Sequence, residues 1–405
     1  MELLTREGLD RATARLAPVM RRTPLVASRV LSDRTGREVW LKCENLQRTG
    51  SFKPRGAYNR IAGLTDAERA RGVVAASAGN HAQGVAWAAA ELGAASTVFM
   101  PEGAPLPKLV ATRSYGAQIH QVGSTVDDAL VAALAFAEET GAVLIHPFDH
   151  LDVVAGQATV GREILDQMPS VGAIVVPTGG GGLVAGIAAA VALDERTVPV
   201  VGVQAAQAAA WPSSLAAGTP TPAERMSTMA DGIAVGRPGD VPFAHVSALG
   251  DRMLTVSEDA LSRALLLCME RAKLIVEAAG AAAVAALMDH PSEIPGDGPV
   301  VAVLSGGNID PLLLTHVVAH GLRAAGRYLT VRIVIPDRPG GLLGVLGVAR
   351  DAAASVVDVV HARTAGRLAL DEVEVVMTLE TRGPDHREAV LAAFATAGFE
   401  VAVQE

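Results

Sequence analysis

The chain has 405 residues, of which 50% are hydrophobic and 19% are charged. This length and composition exclude a disordered or fibrous protein and leave room for two or three globular units. The net charge of -9, with no run rich in lysine or arginine, argues against nucleic acid or an anionic membrane as the main partner.

Other sequence features bear on the cellular location. The two cysteines, Cys43 and Cys268, are too few for a disulfide framework or a Cys-x-x-Cys metal site, so we predict no metal and a reducing cytoplasm. The first residues lack the basic and apolar segments of a secretory signal. Residues 167–193 carry no charge, but Pro177 and four glycines divide them into a strand and a helix rather than a membrane span.

From about residue 70 to 325, short β-branched runs alternate with helical patterns, which predicts an α/β fold with a mainly parallel sheet. The predicted strands are 73–74, 97–99, 118–122, 143–145, 174–176, 198–203 and 300–304. The predicted helices are 81–92, 126–140, 151–167, 258–271 and 311–325.

After Gly326 the pattern changes to strand, helix, two strands, helix and strand. This βαββαβ order over about 78 residues predicts a small ferredoxin-like domain. Because no linker rich in proline or serine precedes this domain, we expect a short junction.

Lysine is scarce: the 34 basic residues include only Lys42, Lys53, Lys108 and Lys273. Arginine replaces lysine as a surface charge but not as an amine nucleophile, because its guanidinium group stays protonated. Lys53 follows Phe52 in a segment shaped by Gly50 and Pro54, which makes it a candidate nucleophile. On its own, this short motif is more often a solvated lysine near a helix start.

Two further segments lie where a strand ends and a helix begins. In residues 77–84, Ser77 and Asn80 suit either a helix cap or a carboxylate site built from N–H groups. In residues 177–183, four consecutive glycines cost backbone entropy, and their N–H groups are approachable by a bulky anion such as phosphate. A tight packing turn is the alternative for the glycines.

Residues 305–308 follow another strand, so Ser305 lies at a carboxyl end, where open α/β sheets bind ligands. An amine, a phosphate cradle and polar groups at strand ends suggest pyridoxal phosphate, whose aldehyde reacts with a lysine.

The motifs at 51–57, 77–84, 179–183 and 305–308, in this order and spacing, resemble the fold type II pyridoxal phosphate enzymes, and most closely the threonine/serine dehydratases. Residues 230–235 and 277–281 also match that family, and the resemblance covers nearly all of residues 10–325. It implies a catalytic domain of two subdomains, similar to the tryptophan synthase β subunit. We place this domain at 1–327, with the smaller subdomain inserted at about 50–148.

The resemblance also implies roles for individual residues. Lys53 and Ser77 would be catalytic: Lys53 holds pyridoxal 5'-phosphate as a Schiff base and later removes the substrate Cα proton. The cofactor would be held by Lys53, Phe52, Asn80, Gly179, Gly180, Gly181, Gly182, Leu183 and Ser305. The substrate carboxylate would be bound by Ser77, Ala78, Gly79, Asn80 and His81.

Residues 328–405 resemble an ACT domain, a small module that binds amino acids. The candidate effector residues lie in its first turn, at Pro339, Gly340, Gly341 and Leu342. A dimerisation module without a ligand is the alternative. The threonine/serine dehydratases are usually tetrameric or dimeric, so we expect a homotetramer or a homodimer.

The resulting expectation is β-elimination of L-threonine to 2-oxobutanoate and ammonia, with L-serine as a second substrate. As the first step of isoleucine biosynthesis, the reaction would be inhibited by isoleucine, and valine would relieve this inhibition. The alternatives are a degradative serine/threonine dehydratase, a serine racemase and a non-catalytic amino-acid sensor.

Overall fold

The computed structural model describes residues 2–194, 196–250, 252–363 and 368–404. The chain divides into two compact units, Met1–Pro311 and Leu312–Glu405. Among the described residues, no helix combines the length and the apolar character needed to cross a membrane.

The first unit contains a large sheet of six strands in the order β1-β2-β10-β7-β8-β9. All neighbours are parallel except β1, which is antiparallel to β2. The central strands are buried on both faces, as expected for a parallel sheet covered by helices. The strands are β1 Leu25–Ala27, β2 Val39–Cys43, β7 Ala173–Pro177, β8 Val200–Ala205, β9 Arg252–Val256 and β10 Val300–Leu304.

A separate small sheet of four parallel strands lies between β2 and β7 in the sequence, in the order β5-β4-β3-β6. Both sheets are of the predicted type, and the predicted α/β fold class is confirmed. The strands are β3 Val73–Ala76, β4 Ser96–Met100, β5 Gln118–Gln121 and β6 Val143–Leu144.

Helices cover these sheets. They are α1 Arg6–Leu16, α2 Arg29–Thr35, α3 Lys53–Ala62, α4 Asp66–Ala70, α5 Asn80–Glu91, α6 Leu106–Ser114, α7 Val126–Thr140, α8 Leu151–Gln167, α9 Gly182–Ala192, α10 Trp211–Ala217, α11 Asp240–Leu249, α12 Glu258–Leu267 and α13 Ala282–Asp289. The prediction of a single helix over 258–271 is wrong at the C-terminal end of that helix. A π-helical turn, Cys268–Ala272, follows α12 and ends at Lys273, whose φ is 60°.

The second unit has the predicted βαββαβ order and a four-stranded antiparallel sheet in the order β12-β13-β11-β14, which is the ferredoxin-like arrangement. One face of this sheet packs on α15 and α16. The elements are α14 Pro311–Ala324, β11 Tyr328–Pro336, α15 Gly341–Asp351, β12 Ser355–Ala362, β13 Glu372–Glu380, α16 Pro384–Thr396 and β14 Val401–Gln404.

Close packing of α8 against α9 supports the centre of the first unit. A Cβ atom on Gly186 of α9 would lie 2.6 Å from the Ala158 backbone nitrogen of α8. Both helices are largely buried, and their apolar side chains join those of β7 and β10 in one core. This core fixes the carboxyl ends of β7 and β10, where two of the predicted motifs begin.

Candidate active site

Lys53 is the first residue of α3, and the segment before it is attached to the end of β10. Ser51 forms an isolated antiparallel bridge with Gly306. The Phe52 N–H donates to the Ser305 carbonyl oxygen at 3.1 Å. Ser305 is itself buried. Backbone hydrogen bonds therefore bring together the first and last of the four predicted motifs.

The Lys53 amine lies in a half-buried environment. Its Nζ atom donates to the Pro147 carbonyl oxygen at 3.1 Å and lies 5.2 Å from the centre of the Phe52 ring. Burial lowers the pKa of Lys53 to about 8, although the nearby Glu277 carboxylate opposes the shift. A sizeable fraction of the amine is then neutral near physiological pH, which is the form that attacks a carbonyl carbon.

The segment 77–81 connects β3 to α5. The N-cap residue of α5 is Gly79, which has no side chain to cap the helix. The interpretation of Ser77 and Asn80 as helix caps is therefore wrong. The Ser77 hydroxyl instead accepts a hydrogen bond from the Gly79 N–H at 3.1 Å. Ala78 and His81 lie in the same turn, and the amino end of α5 favours an anion there.

The His81 side chain is buried beside β6. Its Nε2 atom is 2.7 Å from the Ile145 carbonyl oxygen. Burial lowers the pKa of His81 to about 3, and the positive charge of Lys53 contributes to the shift. His81 is therefore neutral at physiological pH and contributes its backbone, not a charge, to the segment.

Asn80 is held in one orientation by hydrogen bonds on both sides of its amide. Its Nδ2 atom donates to Glu277 Oε1 at 2.6 Å, and its Oδ1 atom accepts from Asn308 Nδ2 at 2.8 Å. Asn308 Nδ2 also lies 2.6 Å from the Thr49 carbonyl oxygen. The second and fourth motifs thus meet through two amides, and one hydrogen of the Asn80 amide is left for another acceptor.

Glu277 is a buried carboxyl group in the middle of this arrangement. Burial and the negative charge of Asp231 raise its pKa to about 7, against the effect of the Asn80 hydrogen bond. Its backbone N–H donates to the Gly306 carbonyl oxygen at 3.0 Å. The sequence comparison included Glu277 in a matching segment but gave it no role, because its contact with Asn80 joins residues far apart in the chain.

The four glycines form the turn between β7 and α9. Gly181 has a φ of +99°, and a Cβ atom on it would lie 2.2 Å from Trp211 Cζ2. A Cβ atom on Gly180 would lie 2.4 Å from the Phe148 ring. Across the described residues, the N–H groups of 179–183 have no hydrogen-bond acceptor. The turn is therefore closed by aromatic rings on one side and offers free donors at a helix start.

Sequence reasoning missed the loop that follows β6. Within it, Phe148 packs on the glycine turn, and the Pro147 carbonyl accepts from Lys53. Asp149 accepts from the Val241 N–H at 2.8 Å, and its own N–H donates to His146 Nδ1 at 2.7 Å. The available signal was its position, because this loop leaves the carboxyl end of a parallel strand.

A family model described as "Pyridoxal-phosphate dependent enzyme" matches residues 16–306. The chain belongs to the pyridoxal-phosphate dependent enzymes. The predicted cofactor, pyridoxal phosphate, is thereby confirmed.

Relatives within this family extend over nearly the whole chain. A Thermotoga maritima protein named L-threonine ammonia-lyase is 43% identical over 401 residues, which are 99% of this chain and 100% of that protein. A Geobacter sulfurreducens protein of the same name is 43% identical and covers 98% of each chain.

Solved structures resemble about three quarters of the chain. A threonine deaminase from tomato, Solanum lycopersicum, has 36% identity and a TM-score of 0.74, covering 78% of this chain and 87% of that chain. Serine racemase from Dictyostelium discoideum has 33% identity and a TM-score of 0.70, covering 76% of this chain and 99% of that chain.

The residues present fit a pyridoxal phosphate enzyme. The glycine turn provides free N–H donors in a space that side chains would fill, which suits the cofactor phosphate. Lys53 provides an amine of lowered pKa near this turn, through the shared loop 146–150. The oriented amide of Asn80 and the buried hydroxyl of Ser305 are the predicted partners of the cofactor ring.

Proposed function

We propose that the protein is an L-threonine ammonia-lyase that converts L-threonine to 2-oxobutanoate and ammonia. The supporting observation is the similarity to two proteins of that name over at least 98% of this chain. In the reaction, Cα loses a proton and Cβ loses hydroxide, which together leave as water. The resulting enamine tautomerises to an imine, and water hydrolyses the imine to the 2-oxo acid and ammonia.

The chain's own residues bind the substrate and transfer the proton. Pyridoxal phosphate, when bound, supplies the electron sink that makes the Cα proton acidic. The neutral Lys53 amine accepts this proton at Nζ. The Ser77 hydroxyl and the N–H groups of residues 78–81 hold the carboxylate, so that the Cα–H bond is directed towards Lys53.

Ser305 favours elimination over competing reactions. The Ser305 hydroxyl would be the partner of the pyridine nitrogen when the cofactor is bound, and a neutral hydroxyl would not keep that nitrogen fully protonated, as a carboxylate would. Beside Ser305 the bound cofactor would supply a weaker electron sink, which would favour early loss of the β-hydroxyl over transamination. We expect Ser305→Asp to increase the ratio of side products to 2-oxobutanoate. An unchanged ratio would contradict this role.

The decisive experiment measures 2-oxo acid formation from L-threonine and L-serine by purified protein. We expect turnover of L-threonine with the larger kcat/KM, and loss of turnover in Lys53→Ala. Racemisation of L-serine faster than its elimination would instead indicate a racemase. Absence of cofactor absorbance, or absorbance that survives Lys53→Ala, would favour the non-catalytic sensor.

A degradative role is the second candidate. A catabolic L-threonine dehydratase of Staphylococcus aureus is 42% identical over 321 residues, which are 78% of this chain. The two relatives named L-threonine ammonia-lyase match nearly the whole chain, including the C-terminal unit, so we favour a regulated, biosynthetic enzyme. Inhibition by isoleucine would support this choice, and its absence would support the degradative role.

We propose that the C-terminal unit is an ACT domain that binds the effector. A cavity of about 510 Å³ lies beside the amino end of α15 and is lined by Pro339, Gly340 and Leu342, although not by Gly341. Asp337 and Arg363 form an ion pair at its wall, with Nε–Oδ2 at 3.0 Å. This volume is in the range of small-ligand sites, and the two charges match the charges of a zwitterion.

The effector proposal is tested by titrating the full-length protein with isoleucine and valine. We expect isoleucine to inhibit and valine to relieve the inhibition. Asp337→Asn should weaken isoleucine binding in calorimetry while leaving kcat without effector unchanged. Equal binding by the variant would contradict the assignment. Light scattering tests the expected homotetramer or homodimer.

A further inference from the structure

Lys108 lies on α6, beside the small sheet, yet its side chain is only 14% exposed. Its Nζ atom donates to Asp231 Oδ2. Asp231 begins a short turn between β8 and β9 of the large sheet. The pair therefore connects the two sheets of the first unit across a separation of 123 residues in the chain.

This ammonium group lies beside the segment that is predicted to bind the substrate carboxylate. A Cβ atom on Gly79 would be 4.0 Å from Lys108 Nζ. Asp231 lies next to Gly232, whose own Cβ position is 3.5 Å from Glu277 Oε1. The charge of Lys108 also opposes the raised pKa of Glu277, so it acts inside the site rather than on its outer surface.

The segment 77–81 carries no full positive charge of its own. Its donors are backbone N–H groups and the Ser77 hydroxyl, and burial keeps His81 neutral by lowering its pKa to about 3. A carboxylate that leaves water for a partly enclosed site needs a compensating charge or strong hydrogen bonds. The Lys53 amine is committed to the cofactor, which leaves the Lys108 ammonium as the nearby partner for the carboxylate.

We propose that Lys108 recognises the α-carboxylate of the substrate and that Asp231 is a positioning residue that holds the Lys108 ammonium beside Gly79. An ammonium group has three N–H donors, so one bond to Asp231 leaves two for a ligand. The proposal rests on the proposed function in one respect, that the substrate is an amino acid. It makes Lys108 a determinant of specificity for ligands that carry a free carboxylate.

The test compares two ligands that differ in this group, L-alanine and L-alaninamide, neither of which has the β-hydroxyl needed for elimination. Their binding to the holoenzyme is measured by isothermal titration calorimetry. We expect Lys108→Met to weaken L-alanine binding at least tenfold and L-alaninamide binding less than twofold, because a hydrogen bond to a charged partner is among the stronger kinds. Lys108→Gln should reproduce this pattern, and Lys108→Arg should retain most of the L-alanine affinity.

Lys273→Met is the matched control, because Lys273 is exposed and donates to the Glu270 carbonyl oxygen outside the site. It should leave both affinities unchanged. Thermal midpoints and cofactor absorbance verify that each variant is folded and loaded. Equal weakening of the two ligands by Lys108→Met and Lys108→Gln, or no weakening of L-alanine, would overturn the assignment.

The role of Asp231 is tested by combining variants. Asp231→Asn should change L-alanine affinity in the wild-type background but not in Lys108→Met. An effect that is absent, or equal in both backgrounds, would overturn the positioning role. If the wild-type protein forms no 2-oxo acid from L-threonine, the proposed function fails, while the comparison of L-alanine with L-alaninamide still tests Lys108.

Discussion

Gly181 is the residue of the glycine turn where an added methyl group should do most harm. It has a φ of +99° and serves as the N-cap of α9. In Gly181→Ala the new Cβ atom would lie 2.2 Å from Trp211 Cζ2 and 2.9 Å from Pro242 Cβ. The Trp211 ring is fully buried, and its Nε1 atom donates to the Gly179 carbonyl at 2.7 Å, so the ring has little room to move.

Two costs add in this variant. The left-handed backbone conformation costs a residue with a Cβ atom roughly 1–2 kcal/mol. Overpacking against Trp211 adds about 1–3 kcal/mol. Gly218 provides the matched control, because its φ is +69° and no atom lies within 4 Å of its Cβ position. Gly218→Ala should therefore incur the backbone cost alone.

The assay has two readouts, the thermal unfolding midpoint and the dissociation constant of pyridoxal phosphate from its absorbance. For a domain of this size, each kcal/mol lowers the midpoint by about 2 °C. Gly181→Ala should lie several degrees below Gly218→Ala and bind the cofactor at least tenfold more weakly, because the N–H donors of the turn are displaced. Equal midpoints and equal cofactor affinities in the two variants would refute the reasoning.

Two further predictions concern buried charges. The raised pKa of Glu277, about 7, means that stability from this group is present below its ordinary pKa of 4.5 and is lost as the pH rises towards 7. Glu277→Gln should therefore remove about 3 kcal/mol of the pH dependence of the unfolding free energy. The measurement compares the unfolding free energies of the variant and the wild type from pH 4.5 to 8. A difference between them that stays constant with pH would contradict the prediction. Arg55→Met leaves the buried Glu44 carboxylate without its ion-pair partner and should cost about 3–5 kcal/mol of unfolding free energy. The exposed pair of Arg11 with Glu7 is the control, since Arg11→Met should cost less than about 1 kcal/mol in the same denaturation assay.

Elements with clear end signals were predicted closely from the sequence. For α7, the predicted and observed bounds are both 126–140. Thr125 and Asp128 form a capping box at its start, and Gly141 ends it with a φ of 73°. These signals are local, so a single sequence contains them.

Other elements lacked such signals. The sequence reading did not identify β2, a buried strand that contains Lys42. The Lys42 ammonium is fully buried because it meets the Glu163 carboxylate, 121 residues away, at 2.5 Å. The π-helical turn after α12 was also missed, since apolar periodicity does not separate it from an ordinary helical turn.

The candidate site shows the same division between local and distant information. The strand-end positions of three of the four motifs, 77–84, 179–183 and 305–308, followed from sequence patterns. The contact of Lys53 with Pro147, the bond of Asn80 to Glu277 and the pair formed by Lys108 did not, because each joins residues at least 94 positions apart. What the sequence could not supply is the set of partners that fixes the charge and orientation of each predicted group.

Two of the four lysines in this arginine-rich chain, Lys42 and Lys53, occupy places that an arginine side chain would not suit. Lys42 Nζ donates to Glu163, to the Thr23 carbonyl and to the Gln167 side chain, three directions that the planar fork of arginine does not match. Lys53 needs an amine that loses its proton near neutral pH, which a guanidinium does not do. A Lys42→Arg variant should therefore lose stability although the charge is conserved, and an unchanged thermal midpoint would show that charge alone explains this position.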